Sequence, residues 1–341
     1  MGAELDAPIL TPTSKDGNLN NNIRYGLTKL QGWKKSMTLY NLNSNNIGHN
    51  KNVNLFGIFD GHNGPEISKY LINNFTSILS QNSDFKENNY KQALIKTFEN
   101  IDISLITSKI NNELISYSEN NNKNDNNISA LNLSQTDINN INDFMDLFNA
   151  RNIDTIKIAE FVGASGIVLC MTDNSTFIAC AGSSRCIIFD KNYNICEKKI
   201  FLHQKVKNIE EKKRIENACD FSHENKKSVL NKIEYSRGFG YFNYKSNKYL
   251  SGNEQAIIAT PEIIEIENKE TGLVIIGNIG FFELGDIHSI SGFFKEKIKN
   301  KETKISLIIN EYIEKEIKNK KNKILLDNNV SCIAIDYSIN G

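Results

Sequence analysis

The chain has 341 residues, and its 40 Lys and Arg balance 40 Asp and Glu, so the formal charge at pH 7 is zero. That balance, with no basic stripe interleaved with aromatics, argues against nucleic acid as a partner, and no apolar run approaches the ~18 residues that a membrane span requires. The length allows one large core, and a single domain is expected over 23–338 behind an N-terminal arm, 1–22.

In chain order, a polar, Asn-rich patch covers Asn41 to Asn54, and the first clear strand is Val53 to Phe59. It ends on Asp60 and a Gly61-His-Asn-Gly64 turn, after which Pro65 opens a helical pattern to Leu79 with Ile67, Leu71, Phe75 and Ile78 on one face. Asn88 to Ile110 continues with helical spacing. Glu119 to Asn142 is an Asn-rich stretch that cannot bury enough apolar surface to offset its ordering entropy, and is read as an insertion within the domain. Short apolar runs rich in β-branched residues follow at Gly166 to Met171, Thr176 to Cys180, Cys186 to Phe189, Leu273 to Ile276 and Val330 to Ile335, as buried strands should. Asn208 to Ala218 is a charged helix with a good cap, and Thr303 to Ile317 is a second late helix. Strand clusters separated by paired helices predict an α+β layered sandwich.

Six cysteines show no CxxC spacing and no zinc-spaced His partner, and are expected to be reduced core residues. The first 20 residues contain no apolar signal-peptide core, so a cytoplasmic location is expected. The chemistry-bearing feature is Phe59-Asp-Gly-His62, which places Asp60 and His62 at the mouth of a buried strand. Gly61 there lets the backbone approach an ion or phosphate. Read structurally, the same Asp60 would accept local backbone hydrogen bonds in a turn.

Further landmarks stand in a fixed order: Met1-Gly-Ala-Glu-Leu-Asp-Ala-Pro8, Arg24-Tyr-Gly-Leu27, Gln31-Gly-Trp-Lys34, Gly163-Ala-Ser165, Ala181-Gly-Ser-Ser-Arg185, Arg214-Ile-Glu-Asn-Ala218, Ser236-Arg237, Pro261-Glu-Ile263 and Asn329-Val-Ser-Cys-Ile333. With Asp60 among them, the chain resembles the PPM (PP2C-type) family of metal-dependent serine/threonine protein phosphatases over nearly its whole length. The resemblance implies a four-layer α/β/β/α sandwich with two central, mainly antiparallel sheets. It also implies a reaction in which two divalent ions, held by carboxylates, convert a bridging water into the hydroxide that attacks phosphorus.

The sequence departs from that pattern where the ions would be held. The two acids that follow Gln-Gly-Trp in the family are Thr38 and Leu39 here, and Ser183 stands for an acid of a further metal site. Ile279 stands for a metal-bridging Asp, and Asn328 for the last ligand, or Asp327 if that motif is shifted by one. Only Asp60 remains, with the Gly61 carbonyl beside it. Glu283 keeps a carboxylate near the former site. Lys34 replaces an arginine that grips phosphate; it keeps the charge and loses the planar fork. Lys34 and His62 are the phosphate-binding candidates. No cofactor is expected, with Mn²⁺ or Mg²⁺ as the ions if residual metal binding survives.

The resulting expectation is a pseudophosphatase that acts as a scaffold or regulator. Its partner is a protein, either phosphorylated or itself a kinase. The alternatives are a divergent active phosphatase and a membrane-peripheral component. The last rests on Gly2, which resembles the N-myristoylated residue of acylated family members, although Asp6 stands where the simple motif wants Ser or Thr. One acyl chain would give only marginal, reversible attachment.

Overall fold

In the computed structural model, residues 4–19, 23–48, 52–122, 157–196, 208–219, 235–319 and 327–337 are described. Two antiparallel sheets stack face to face, with helices on both outer faces. In the first, the strand order is β11 (Glu262–Glu267), β8 (Ser175–Ala181), β7 (Gly163–Met171), β6 (Val53–His62), β5 (Leu39–Ile47), and a short β10 (Phe239–Gly240) also pairs with β7. In the second the order is β2 (Thr13–Leu19), β3 (Ile23–Leu30), β13 (Val330–Asp336), β12 (Thr271–Gly277), β9 (Arg185–Asp190). A separate ribbon pairs β1 (Glu4–Ile9) with β4 (Gly32–Lys34).

Three apolar layers hold the sandwich. Along β6, Val53, Leu55 and Phe59 point to the outer helices α1 (Glu66–Gln81) and α3 (Tyr90–Ser104), whereas Phe56 and Ile58 point between the sheets. The period of two therefore carries Asp60 to the inter-sheet face, at the strand's end. Strand β7 is buried at all nine positions, as a central strand covered on both faces must be. Behind the second sheet lie α6 (Ile279–Phe282), α7 (Ile287–Lys297) and α8 (Ile305–Asn319), with Phe281, Phe294 and Tyr312 fully buried against it.

Two ionic clusters fasten the periphery. The Arg24 guanidinium donates to the Asp336 carboxylate at 2.8 Å and to the carbonyls of Ile298, Lys301 and Thr303 just beyond α7. Helix α5 (Ile209–Cys219) is tied to the segment starting at 235 by Glu211, whose two oxygens take Arg237 and Arg214, each at 2.6 Å.

The helical reading of Asn88 to Ile110 divides in two. Helix α3 ends at Ser104, and α4 (Ser108–Asn122) starts after a turn through Leu105–Thr107, because the buried face of α3 is completed at Ile101 and Leu105. Between them and α1 lies the single-turn α2 (Ser83–Lys86). Helix α4 runs four residues into the Asn-rich stretch, and the rest of that stretch lies outside the described residues. The patch from Asn41 begins in strand β5, where Leu39 and Leu42 are buried and Asn41 and Asn43 meet the second sheet, Asn41 Oδ1 accepting from the Ser331 hydroxyl at 2.7 Å and Asn43 Nδ2 donating to the Tyr25 hydroxyl at 3.0 Å. Among the described residues, no helix is long and apolar enough to cross a membrane.

Candidate functional site

Asp60 is 5% exposed and lies at the end of the sandwich where β5, β6 and β7 meet the ends of β12 and β13. Its cross-strand partner on β5 is Leu39, completely buried in the inter-sheet layer. On its other side the partner is Ser165, whose hydroxyl accepts from the Ser183 backbone N–H and bonds the Ser183 hydroxyl, both at 3.0 Å. A leucine side chain has no donor atom for a hard cation, and serine pairs already engaged with each other offer a poor one.

The carboxylate has a partner from the opposite sheet. Asn278 Nδ2 donates to Asp60 Oδ2 at 3.0 Å and to the Asn329 carbonyl at 2.8 Å. Asn278 Oδ1 accepts from the N–H groups of Ser331 at 2.9 Å and Phe281 at 3.3 Å, so the side chain also caps α6. Asn329 extends the network: its Oδ1 accepts from the Thr38 N–H and hydroxyl at 3.0 and 3.1 Å, and its Nδ2 donates to the Gln31 carbonyl at 2.8 Å. Asn278 and Asn329 are at most 1% exposed. Two amides thus join the two sheets at the strand mouth. Asp60 is held by a side chain 218 residues away, which corrects the expectation of local backbone bonds in a turn.

The other sequence candidates lie around this network. Thr38 is buried, and its carbonyl accepts from the Gly61 N–H at 3.0 Å and the Ser68 hydroxyl at 2.8 Å. Gly61 must lack a side chain, since a Cβ would press on the Gly64 carbonyl and Ser68. Ile279 opens α6, half-buried, and Asn328 donates to Glu283 Oε2 at 3.0 Å while Asp327 is exposed beside it. Lys34 is half-buried at the end of β4, and its carbonyl accepts from Gln31 Nε2 at 2.8 Å. His62 is the last residue of β6, its ring near-parallel to that of Tyr241 with centroids 6.3 Å apart. Arg185 stacks over the Phe282 ring at 5.8 Å and makes no ion pair with an acid among the described residues, whereas Arg237 does. Gly2 lies outside the described residues.

A further carboxylate stands just behind the strand mouth. Glu66, the first residue of α1, is 2% exposed; its Oε1 accepts from Ser118 at 2.7 Å and its Oε2 has no hydrogen-bond partner. Burial pushes its carboxyl above the ordinary range, against smaller opposing contributions that include the Ser118 hydroxyl and Lys69. Its helix position places it on the outer face, away from Asp60.

Among the described residues, no three His, Cys, Asp or Glu side chains come together in a way that could hold a metal ion. Two divalent ions require several convergent oxygen donors, and here one carboxylate faces an amide N–H donor and a leucine; the residues do not fit that centre. Sequence reasoning missed Asn278 and Asn329 as the organising residues. A signal existed in Asn278, a polar residue closing an apolar strand, which once buried must find partners for all its hydrogen-bonding groups.

A family model described as Protein phosphatase 2C matches residues 23–122 and 107–323. Probable protein phosphatase 2C 4 of Paramecium tetraurelia is 26% identical over 309 residues, covering 90% of this chain and 88% of the relative. Probable protein phosphatase 2C 60 of Arabidopsis thaliana is 26% identical over 322 residues, covering 92% and 86%. The crystal structure of a phosphatase from a pathogenic strain of Toxoplasma gondii superposes with a TM-score of 0.65 at 13% identity, over 97% of this chain and 96% of that one, a likeness of fold. By fold, by the order of its motifs and by the family match across most of its length, the chain belongs to the protein phosphatase 2C family.

Proposed function

We propose that this protein is a non-catalytic member of its family, a pseudophosphatase that uses the sandwich as a protein-binding scaffold or regulator. The observation that carries the reading is the Asp60–Asn278 hydrogen bond, with Leu39 opposite Asp60. A metal-bridged hydroxide needs carboxylates that both hold the ions and balance their charge. At this position one carboxylate is satisfied by a neutral amide, and the neighbouring strand contributes a hydrocarbon. The amide network also does the joining that ions would do, so the sandwich has no structural need of Mn²⁺ or Mg²⁺.

The test is hydrolysis of an aryl phosphate and of a phosphothreonine peptide, with Mn²⁺ or Mg²⁺ supplied, by the protein and by Asp60→Asn. The expected result is no turnover above background in either. Metal-dependent turnover abolished by Asp60→Asn would establish the divergent-phosphatase reading instead, with Asp60 and the exposed Glu283 as its surviving acids.

A further inference from the structure

At the opposite end of β6 from Asp60 the structure holds a cavity of about 320 Å³. It lies where the β5–β6 connection, the last turn of α1 and the α2–α3 connection meet, and Val53, Phe85, Lys86, Asn88 and Tyr90 give it its character. Strand β6 starts with Val53 at this cavity and carries Asp60 about 23 Å further on at the usual rise per residue, so the cavity is a place apart from the amide network. Small-molecule sites span about 300–1,000 Å³, and this one is at the small end of that range.

The interior is apolar and aromatic. Val53 and Phe85 are buried, and the Phe85 and Tyr90 rings meet at 77° with centroids 5.5 Å apart, forming a corner. Gly48, at φ 85°, brings bare backbone beside that corner, where an added Cβ would stand 3.4 Å from the Phe85 ring edge.

The polar groups are few and come from one turn. Helix α2 ends at Lys86, and the chain passes through Asn88, at φ 62°, before α3 begins. The Asn88 N–H donates to the Phe85 carbonyl at 3.1 Å and the Asn89 N–H to the Asp84 carbonyl at 2.8 Å, so the turn is fixed. The Tyr90 hydroxyl donates to Asn88 Oδ1 at 2.7 Å, which leaves the Asn88 Nδ2 donor unspent. The Lys86 ammonium makes no ion pair or hydrogen bond among the described residues, because Asp84 on the same turn is taken by Lys96 at 2.7 Å. The other polar side chains of the lining are engaged: the Ser80 hydroxyl donates to the Thr76 carbonyl at 2.7 Å, and Asn52 Nδ2 to Asp173 Oδ2 at 3.3 Å. Among the described lining residues, Lys86 is the one that carries a charge.

We propose that this cavity is a binding site for a small aromatic carboxylate. The ligand's ring occupies the corner between Phe85 and Tyr90, where offset and edge-to-face contacts favour an arene. Its carboxylate meets the Lys86 ammonium and the Asn88 amide, two donors that the fold leaves over. A neutral arene would leave the ammonium unmatched, and a phosphate ester would bring a second negative charge to a single cation. The site goes beyond the non-catalytic reading and does not depend on it, since it uses neither Asp60 nor a metal.

The experiment is a nuclear magnetic resonance titration of the full chain with 2-naphthoate, with its neutral amide and with cyclohexanecarboxylate, which keeps the charge and lacks the ring. Naphthoate is expected to shift the signals of Val53, Phe85, Asn88 and Tyr90. The amide should bind about tenfold more weakly, since a charged hydrogen bond is lost, and the cyclohexane acid about fivefold more weakly, since the ring contacts are lost. Lys86→Gln, at an exposed position, should weaken naphthoate binding by about tenfold. Asn88→Gly, suited to the left-handed backbone, should weaken it by about fivefold with the circular dichroism spectrum retained. No shift of these signals at millimolar naphthoate, equal binding of acid and amide, undiminished binding by Lys86→Gln, or tighter binding of 2-naphthyl phosphate than of naphthoate would each overturn the assignment.

Discussion

Two buried polar clusters in this molecule solve the same problem differently. Around Glu211 the chain keeps full charges: one carboxylate faces two guanidiniums, and those guanidiniums also donate to the carbonyls of Ser236, Ala256 and Thr260. Around Asp60 there is one charge, and its partner is the amide of Asn278, which in turn donates to the Asn329 carbonyl. The first cluster fastens α5 to the segment starting at 235. In the second, the one acid is held by neutral amides that satisfy each other directly.

Breaking the ionic cluster should have the largest effect. Glu211→Gln leaves two guanidiniums facing each other without a counter-charge and should cost about 3 kcal/mol in urea unfolding, the usual loss on removing one side of a buried ion pair. Its pH dependence has a definite sign. Burial alone would raise the Glu211 carboxyl, but the Arg237 hydrogen bond, the Arg214 charge and the Ser236 hydroxyl hold it below its ordinary 4.5. Stability from this group is therefore present above that value and lost as pH falls through the lower folded value, and Glu211→Gln should flatten that acid limb.

The amide cluster should be the next most sensitive, and its response sharpens the contrast. Asn278→Ala orphans the Ser331 N–H and one oxygen of Asp60 and should cost about 2 kcal/mol, read as a lower urea midpoint at unchanged slope. Asn278→Asp sets a second carboxylate against Asp60, and two acids so placed cannot both ionise without a cation. The expected outcome is a lower melting temperature that Mn²⁺ partly restores, while Mn²⁺ leaves the parent protein unchanged. Restoration of neither, or Mn²⁺ stabilisation of both, would break the comparison.

The smallest effect is expected from Glu66→Gln. Because burial raises the folded Glu66 carboxyl above 4.5, the folded state binds its proton more tightly than the unfolded chain does. Stability thus declines as pH rises from the unfolded value through the folded one, and Glu66→Gln should remove that decline. The check is a shallower slope of unfolding free energy between acidic and neutral pH, with little change at the acid end.

Much of this was legible in the residues. The strand Val53 to Phe59, the helix after Pro65 and the run Val330 to Ile335 carry their periodicities plainly, and the structure carries them on to His62, Gln81 and Asp336. Strand β5 was hidden because it carries no apolar alternation: Leu39 faces the inter-sheet layer, Leu42 the outer helices, and the remaining positions to Asn46 are polar or a half-buried Tyr40. The missing acids at Thr38, Leu39, Ile279 and Asn328 could be named from motif order alone. What replaces them could not, since the Asp60–Asn278 bond depends on how two sheets stack, a relation that no local spacing encodes.

The order of strands in the second sheet has a consequence for how the protein is made. Its central strand is β13, at residues 330–336, flanked by β3 near the start of the chain and by β12. Arg24 meets Asp336 across a separation of 312 residues. During translation, at about 5–20 residues per second, β3 therefore waits roughly 15–60 seconds for its neighbour, with an unpaired edge and an apolar face on offer. The sheet closes only when β13 leaves the ribosome. Any chain cut short before Val330 would carry a gap at its centre, and its two open edges would be free to pair with other nascent chains.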